Sequence, residues 1–145
     1  MANDKIDTKT DTISVGRKNR ILTIDDDNDT GLSLKVVLEQ SELFQVDVFD
    51  DPILALSNFK PDKYDVVILD VRMPAIDGFT LYKRIKIIDE KTKICFLTSV
   101  YDLDYYYRTL YSNVENTIKE NRDCIIDKPV GTEQLIKEIN KLLHI

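Results

Sequence analysis

The chain has one histidine and two cysteines in 145 residues. With no CxxC pair and His144 alone near the end, it lacks the nitrogen and sulfur donors of a tetrahedral zinc site. Cys95 and Cys124 each sit inside an apolar run, the setting of reduced core thiols in a cytosolic protein and not of a disulfide framework. Basic charge is short as well: 20 Lys+Arg face 26 Asp+Glu, for a net charge of −6. Neutralising phosphates needs a basic face, so the balance argues against general nucleic-acid binding. No apolar run approaches the ~20 residues of a membrane span. Met1 to Lys18 has no apolar stretch of the kind a signal peptide carries. What is present is a 43% hydrophobic content, enough to bury one core. At a prior of roughly 150 residues per domain, the expectation is one small, acidic, cytoplasmic domain.

Apolar runs and amphipathic stretches alternate along most of the chain. Residues 1–18 are polar, mix Asp, Thr and Lys, and are expected to form a disordered arm; 19–145 form the domain. Ile21-Leu22-Thr23-Ile24, Val46 with Val48, Val66-Val67-Ile68-Leu69, Ile94-Cys95-Phe96-Leu97 and Cys124-Ile125-Ile126 are short runs bounded by polar residues, as in buried parallel strands. Between them lie helical spacings: Leu32, Leu34, Val37 and Leu38, then Leu81, Ile85 and Ile88, then Leu135, Ile139 and Leu142. A shorter helix starts at Pro52, and Gly131-Thr132 is placed at the cap of the last one. Gly31 falls inside the first helix with no role beyond packing. The repeated β-α order predicts an α/β fold, a flavodoxin-like, doubly wound (βα)5 with a five-stranded parallel sheet in the order 2-1-3-4-5. The chain stops at the fifth helix, which reads as a stand-alone domain.

In such sheets, ligands bind beyond the carboxyl ends of the strands. Strand one ends in Asp25-Asp26-Asp27, strand three in Asp70, strand four in Thr98-Ser99 and strand five in Lys128-Pro129. Several carboxylates, a hydroxyl and an ammonium therefore converge on one rim. Packed carboxylates repel one another unless a cation joins them, and oxygen ligation by a few carboxylates plus water suits Mg²⁺. A carboxylate can also be the nucleophile that forms an aspartyl phosphate, a reaction that needs mostly positioning and charge neutralisation.

From Arg20 to the C-terminus these residues resemble the receiver domain of two-component response regulators. Ile24-Asp25-Asp26-Asp27 is similar to the acids closing that family's first strand, and Ile68 to Pro74 with Asp77-Gly78 to the motif around its phosphoacceptor. Thr98-Ser99 looks like its hydroxyl plus small residue, and Lys128-Pro129 like its lysine-proline pair. The resemblance implies that Asp70 accepts a phosphoryl group from a sensor histidine kinase or a histidine phosphotransfer protein. It implies Mg²⁺ held by Asp26, Asp70 and the Arg72 carbonyl, with Asp25 acting largely through water, and with Thr98 and Lys128 contacting the phosphoryl group. The protein would catalyse only its own modification and bind an unknown downstream protein, as a monomer or weak homodimer. In the family the Lys-Pro peptide is commonly cis.

Two departures stand out. Ile125 occupies the place of the aromatic switch residue three positions before the lysine. The interval from Thr98 to Lys128 is also longer than usual, with an insertion expected at Glu115 to Arg122. On the helix before it, Leu103, Tyr107, Leu110 and Val114 form one stripe, and Tyr101, Tyr105, Arg108 and Ser112 the opposite one. That second stripe is either covered by the insertion or open to a partner. Two other functional classes compete. A haloacid-dehalogenase-type phosphatase, dependent on Mg²⁺, would need an acid-base Asp where Arg72 stands. A flavodoxin-like cofactor binder would need a phosphate loop where Asp25-Asp26-Asp27 would repel the ligand, and no GxGxxG is present. A pseudo-receiver acting as a scaffold is the third alternative.

Overall fold

The computed structural model describes residues 17–99 and 125–144. Most of the expected arm, Cys124, the two stripes between Tyr101 and Val114, and the expected insertion lie outside the described residues. The described elements are β1 (Asn19–Ile24), α1 (Asn28–Glu39), β2 (Phe44–Phe49), α2 (Pro52–Asn58), β3 (Val66–Leu69), α3 (Gly78–Ile88), β4 (Lys93–Thr98), β5 (Ile125–Asp127) and α4 (Thr132–Leu143). Every strand pair is parallel, and the order is β2-β1-β3-β4-β5. The alternation of apolar runs with helical spacings had predicted this sheet.

Successive strand residues point to opposite faces, and here both faces are covered. Leu22, Ile24, Val67, Leu69, Ile94 and Phe96 pack with Ala55 of α2 and Phe79, Leu81 and Ile85 of α3. On the other face Ile21, Val46, Ile68, Cys95, Leu97 and Ile126 meet Leu34 and Leu38 of α1 and Leu135 and Ile139 of α4. Cys95 is buried in this second core. Ile125 is partly buried against the first of these cores.

Two expectations need correction. The buried stripe of α1 is Gly31, Leu34 and Leu38, whereas Leu32 is 45% exposed; it is turned away from the Gly31 face. Gly31 is needed for space: a Cβ there would stand 2.6 Å from Val48 Cγ1. The last strand runs through Asp127, one residue past the apolar run, because its ladder pairs Asp127 with Thr98. At α4 the expected cap is found: Gly131 is the N-cap and Thr132 opens the helix, with no side-chain cap bond because glycine has no side chain.

The free edge of β2 is closed by α1. Glu39 accepts the Val46 N–H at 2.9 Å, and Lys35 donates to the Val46 carbonyl at 2.7 Å. An edge strand's unpaired backbone groups otherwise invite another strand. This pair of charges blocks that at the middle of β2.

Candidate functional site

The carboxyl ends of β1 and β3 lie side by side because Ile24 is in register with Leu69. The Asp70 N–H donates to the Ile24 carbonyl at 3.0 Å, which carries the ladder one residue past the strand. Asp25 and Asp70 therefore leave adjacent strands at one height. Both are buried, at 4% and 6% exposure, and Asp26 beside them is exposed. One oxygen from each of Asp25, Asp26 and Asp70 lies within 4.8 Å of the others.

Lys128 reaches the same point from β5. Its N–H donates to the Thr98 carbonyl at 3.0 Å, and the Lys128-Pro129 peptide is cis. Its ammonium lies 3.1 Å from Asp25 Oδ2 and 3.4 Å from Asp70 Oδ1. Thr98 is fully buried at the end of β4, its hydroxyl donating toward the Ser99 carbonyl at 3.5 Å. Arg72 is exposed in the loop after β3. The structure thus brings Asp25, Asp26, Asp70 and Lys128 together, with Thr98 and Arg72 on the strand end and loop beside them.

Burial raises the Asp70 pKa to about 7, and the neighbouring charge of Asp25 adds to the rise while Lys128 opposes it. For Lys128, burial works against the ammonium, but Asp70 and Asp25 outweigh it and hold its pKa above the ordinary lysine value. The pocket therefore has more negative charge than one lysine offsets. Its donors are hard carboxylate oxygens with one exposed member open to water, a set that fits Mg²⁺.

Two residues shape the site in ways that spacing along the chain did not reveal. The Asp27 N–H donates to Asp25 Oδ1 at 2.9 Å, while the Asp27 side chain caps α1. Gly78, at the start of α3, donates its N–H to the Val71 carbonyl at 2.8 Å. A Cβ on Gly78 would come within 2.4 Å of the Asp70 carbonyl oxygen, so the helix can approach the Asp70–Val71 backbone only without a side chain there. A DG pair after the Asp70 motif was legible in the sequence; the close approach behind it was not.

Residues 21–140 match the response regulator receiver domain family. The chain belongs to that family. It is 30% identical over 132 residues to the transcriptional regulatory protein RprY of Bacteroides fragilis, a match covering 91% of this chain and 52% of RprY. To the response regulator receiver protein CpdR of Brucella abortus it is 28% identical, over 86% of this chain and 96% of CpdR. This receiver chain spans about half the length of RprY and of other curated relatives it matches. Its fold is similar to the non-phosphorylated HemR receiver domain from Leptospira biflexa, with TM-score 0.72 and 24% identity over 88% of this chain and 96% of that one. Among the described residues, no helix of this receiver is long and apolar enough to cross a membrane.

Proposed function

We propose that this receiver takes a phosphoryl group onto Asp70 from a phosphohistidine on a kinase or phosphotransfer partner and changes its binding of a downstream protein as a result. The observation that carries the reading is the meeting of Asp25, Asp26 and Asp70 within 4.8 Å, with the Lys128 ammonium 3.4 Å from Asp70. Asp70 is the nucleophile: an O–P bond forms on its carboxylate as the P–N bond to the histidine breaks. Lys128 supplies a compact positive charge beside the incoming phosphoryl oxygens, and Thr98 the hydroxyl that hydrogen-bonds one of them. Asp25, Asp26, Asp70 and the Arg72 carbonyl would hold Mg²⁺. Bound there, Mg²⁺ supplies charge neutralisation for the phosphoryl group. The rest is positioning, done by the two buried acids and the lysine.

The test is transfer from a small donor. Acetyl phosphate with Mg²⁺ should add one phosphoryl group, seen as a mass gain and removed by hydroxylamine, as an acyl phosphate must be. A wild-type protein inert to acetyl phosphate, phosphoramidate and beryllofluoride would point to the scaffold reading instead.

The titration of Asp70 also sets the pH dependence of metal binding. Coordination needs the carboxylate, and metal-free Asp70 is half protonated at about pH 7. Binding therefore releases a proton below that pH. Mg²⁺ affinity at pH 6 should be about tenfold weaker than at pH 8. Calorimetric titrations in buffers of different ionisation enthalpy would count the released proton. A pH-independent affinity would remove Asp70 from the donor set.

A further inference from the structure

Asp25 has both carboxylate oxygens engaged. Oδ2 pairs with Lys128 at 3.1 Å, and Oδ1 accepts the backbone N–H of Asp27 at 2.9 Å. The second of these bonds holds the carboxylate's rotation, and the Asp27 backbone is held by its carbonyl, which accepts the Gly31 N–H at 3.3 Å, and by its own side chain. Its Oδ1 accepts the Asp29 N–H at 3.1 Å and its Oδ2 accepts the Thr30 hydroxyl at 2.9 Å, both in the first turn of α1. Asp27 has extended backbone, with φ −90° and ψ 103°, as an N-cap requires. A chain of contacts thus runs from the first turn of α1, through the Asp27 side chain and peptide, to the orientation of a buried acid in the cluster.

We propose that Asp27 is a positioning residue for cation binding: by capping α1 it fixes the peptide N–H that aims the Asp25 carboxylate at the cluster. This rests on the metal reading given above. Asp27 acts through Asp25 and need not touch the ion. Groups that orient a ligand in this way typically change metal affinity by ten- to a hundredfold when removed.

The alternative is that Asp27 contributes only its negative charge, and the side chain's two functions separate the cases. Asparagine keeps a capping oxygen but carries no charge; alanine loses both. Mg²⁺ alone is titrated by calorimetry into the wild type, Asp27→Ala, Asp27→Asn, Asp26→Asn and Asp51→Ala. Asp51 caps α2 by accepting the Ile53 and Leu54 N–H groups, so its loss is a cap lesion on a different helix. Asp27→Ala should weaken binding about tenfold, Asp27→Asn should restore it to near the wild-type value, and Asp51→Ala should leave it unchanged. Wild-type affinity in Asp27→Ala overturns the proposal. Equal weakening in Asp27→Asn and Asp27→Ala overturns it in favour of charge, and equal weakening in Asp51→Ala overturns it in favour of general destabilisation. If Asp27→Ala does not fold, Thr30→Val makes the same test by loosening the cap: severalfold weaker binding supports the proposal and unchanged binding overturns it. Asp26→Asn keeps the two readings distinct. Unchanged affinity there defeats the metal assignment and this proposal with it. Lost affinity there beside an indifferent Asp27→Ala defeats the positioning role alone.

Discussion

Asp70→Asn will take up no phosphoryl group and, without metal, will be more stable than the wild type. Both effects come from one buried carboxylate. Its pKa rises to about 7, first through burial and then through Asp25. The folded protein therefore binds a proton that the unfolded chain releases at an ordinary carboxylate pKa of about 4. Stability is accordingly lost as pH rises through about 7, and above that the folded state carries the full cost of the ionised group. Asparagine removes the charge and keeps the shape, and Lys128 retains Asp25 at 3.1 Å. The gain should amount to a few kcal/mol at pH 8, or about 5–10 °C in melting temperature, and vanish near pH 4. Mg²⁺ should narrow or reverse the difference, because it stabilises the form that binds it. Melting curves at pH 4.5 and pH 8, with EDTA and with Mg²⁺, check each part. An Asp70→Asn protein no more stable than the wild type at pH 8 in EDTA would contradict the electrostatic account. A phosphorylated one would displace Asp70 as acceptor.

That cost explains why the strand ends were the most legible part of this receiver. A cluster of acids at the ends of β1 and β3 is expensive to fold, so it stands out from a chain most of whose other charges are at the surface. The parallel sheet was legible for a related reason: strands covered on both faces must be apolar on both, and Val66–Leu69 is buried at every position. Less visible were features that depend on contact between distant segments. Leu32 fits the helical spacing as well as Leu34 does, and the side of α1 that faces the sheet is marked by a tertiary contact, the approach of Val48 to Gly31. Asp89 reads as an ordinary polar end to α3. In the fold it is buried and accepts the N–H groups of Asp62, 27 residues away, at 2.8 Å and of Lys91 at 3.0 Å. These bonds, the Asp62 N–H first, hold its carboxyl below the usual range. Tyr64 similarly donates to Asp47 at 2.6 Å across a separation no local pattern encodes. In the site itself, strand-end position marked the acids and the lysine, while the backbone bonds that aim them depended on tertiary distances.

Gly78 gives the sharpest consequence of such a distance. Replacing it by alanine should both destabilise the receiver and impair acceptance at Asp70. The built Cβ would lie 2.4 Å from the Asp70 carbonyl oxygen and 2.9 Å from Val71 Cα, and neither neighbour is a flexible side chain that can swing aside. Relief must come from moving α3, which carries buried Phe79, Leu81 and Ile85, or from moving the Asp70 peptide. Overpacking of this kind costs about 1–3 kcal/mol and occasionally more, and a clash with backbone belongs at the upper end. Melting should fall by about 5–10 °C. The displacement should also act on function, since the Asp70 backbone carries the carboxylate proposed as acceptor and sub-ångström placement governs group transfer. At a temperature where the variant is fully folded, the rate of phosphorylation by acetyl phosphate should still be at least ~10-fold below the wild type. Gly131→Ala is the contrasting substitution. Nothing lies within 4 Å of a Cβ there, so it should cost no more than the cap preference, under ~1 kcal/mol. If Gly78→Ala melts with Gly131→Ala and accepts phosphoryl groups at the wild-type rate, the backbone around Asp70 has slack that its distances do not indicate, and the close seating of α3 is not what places the acceptor.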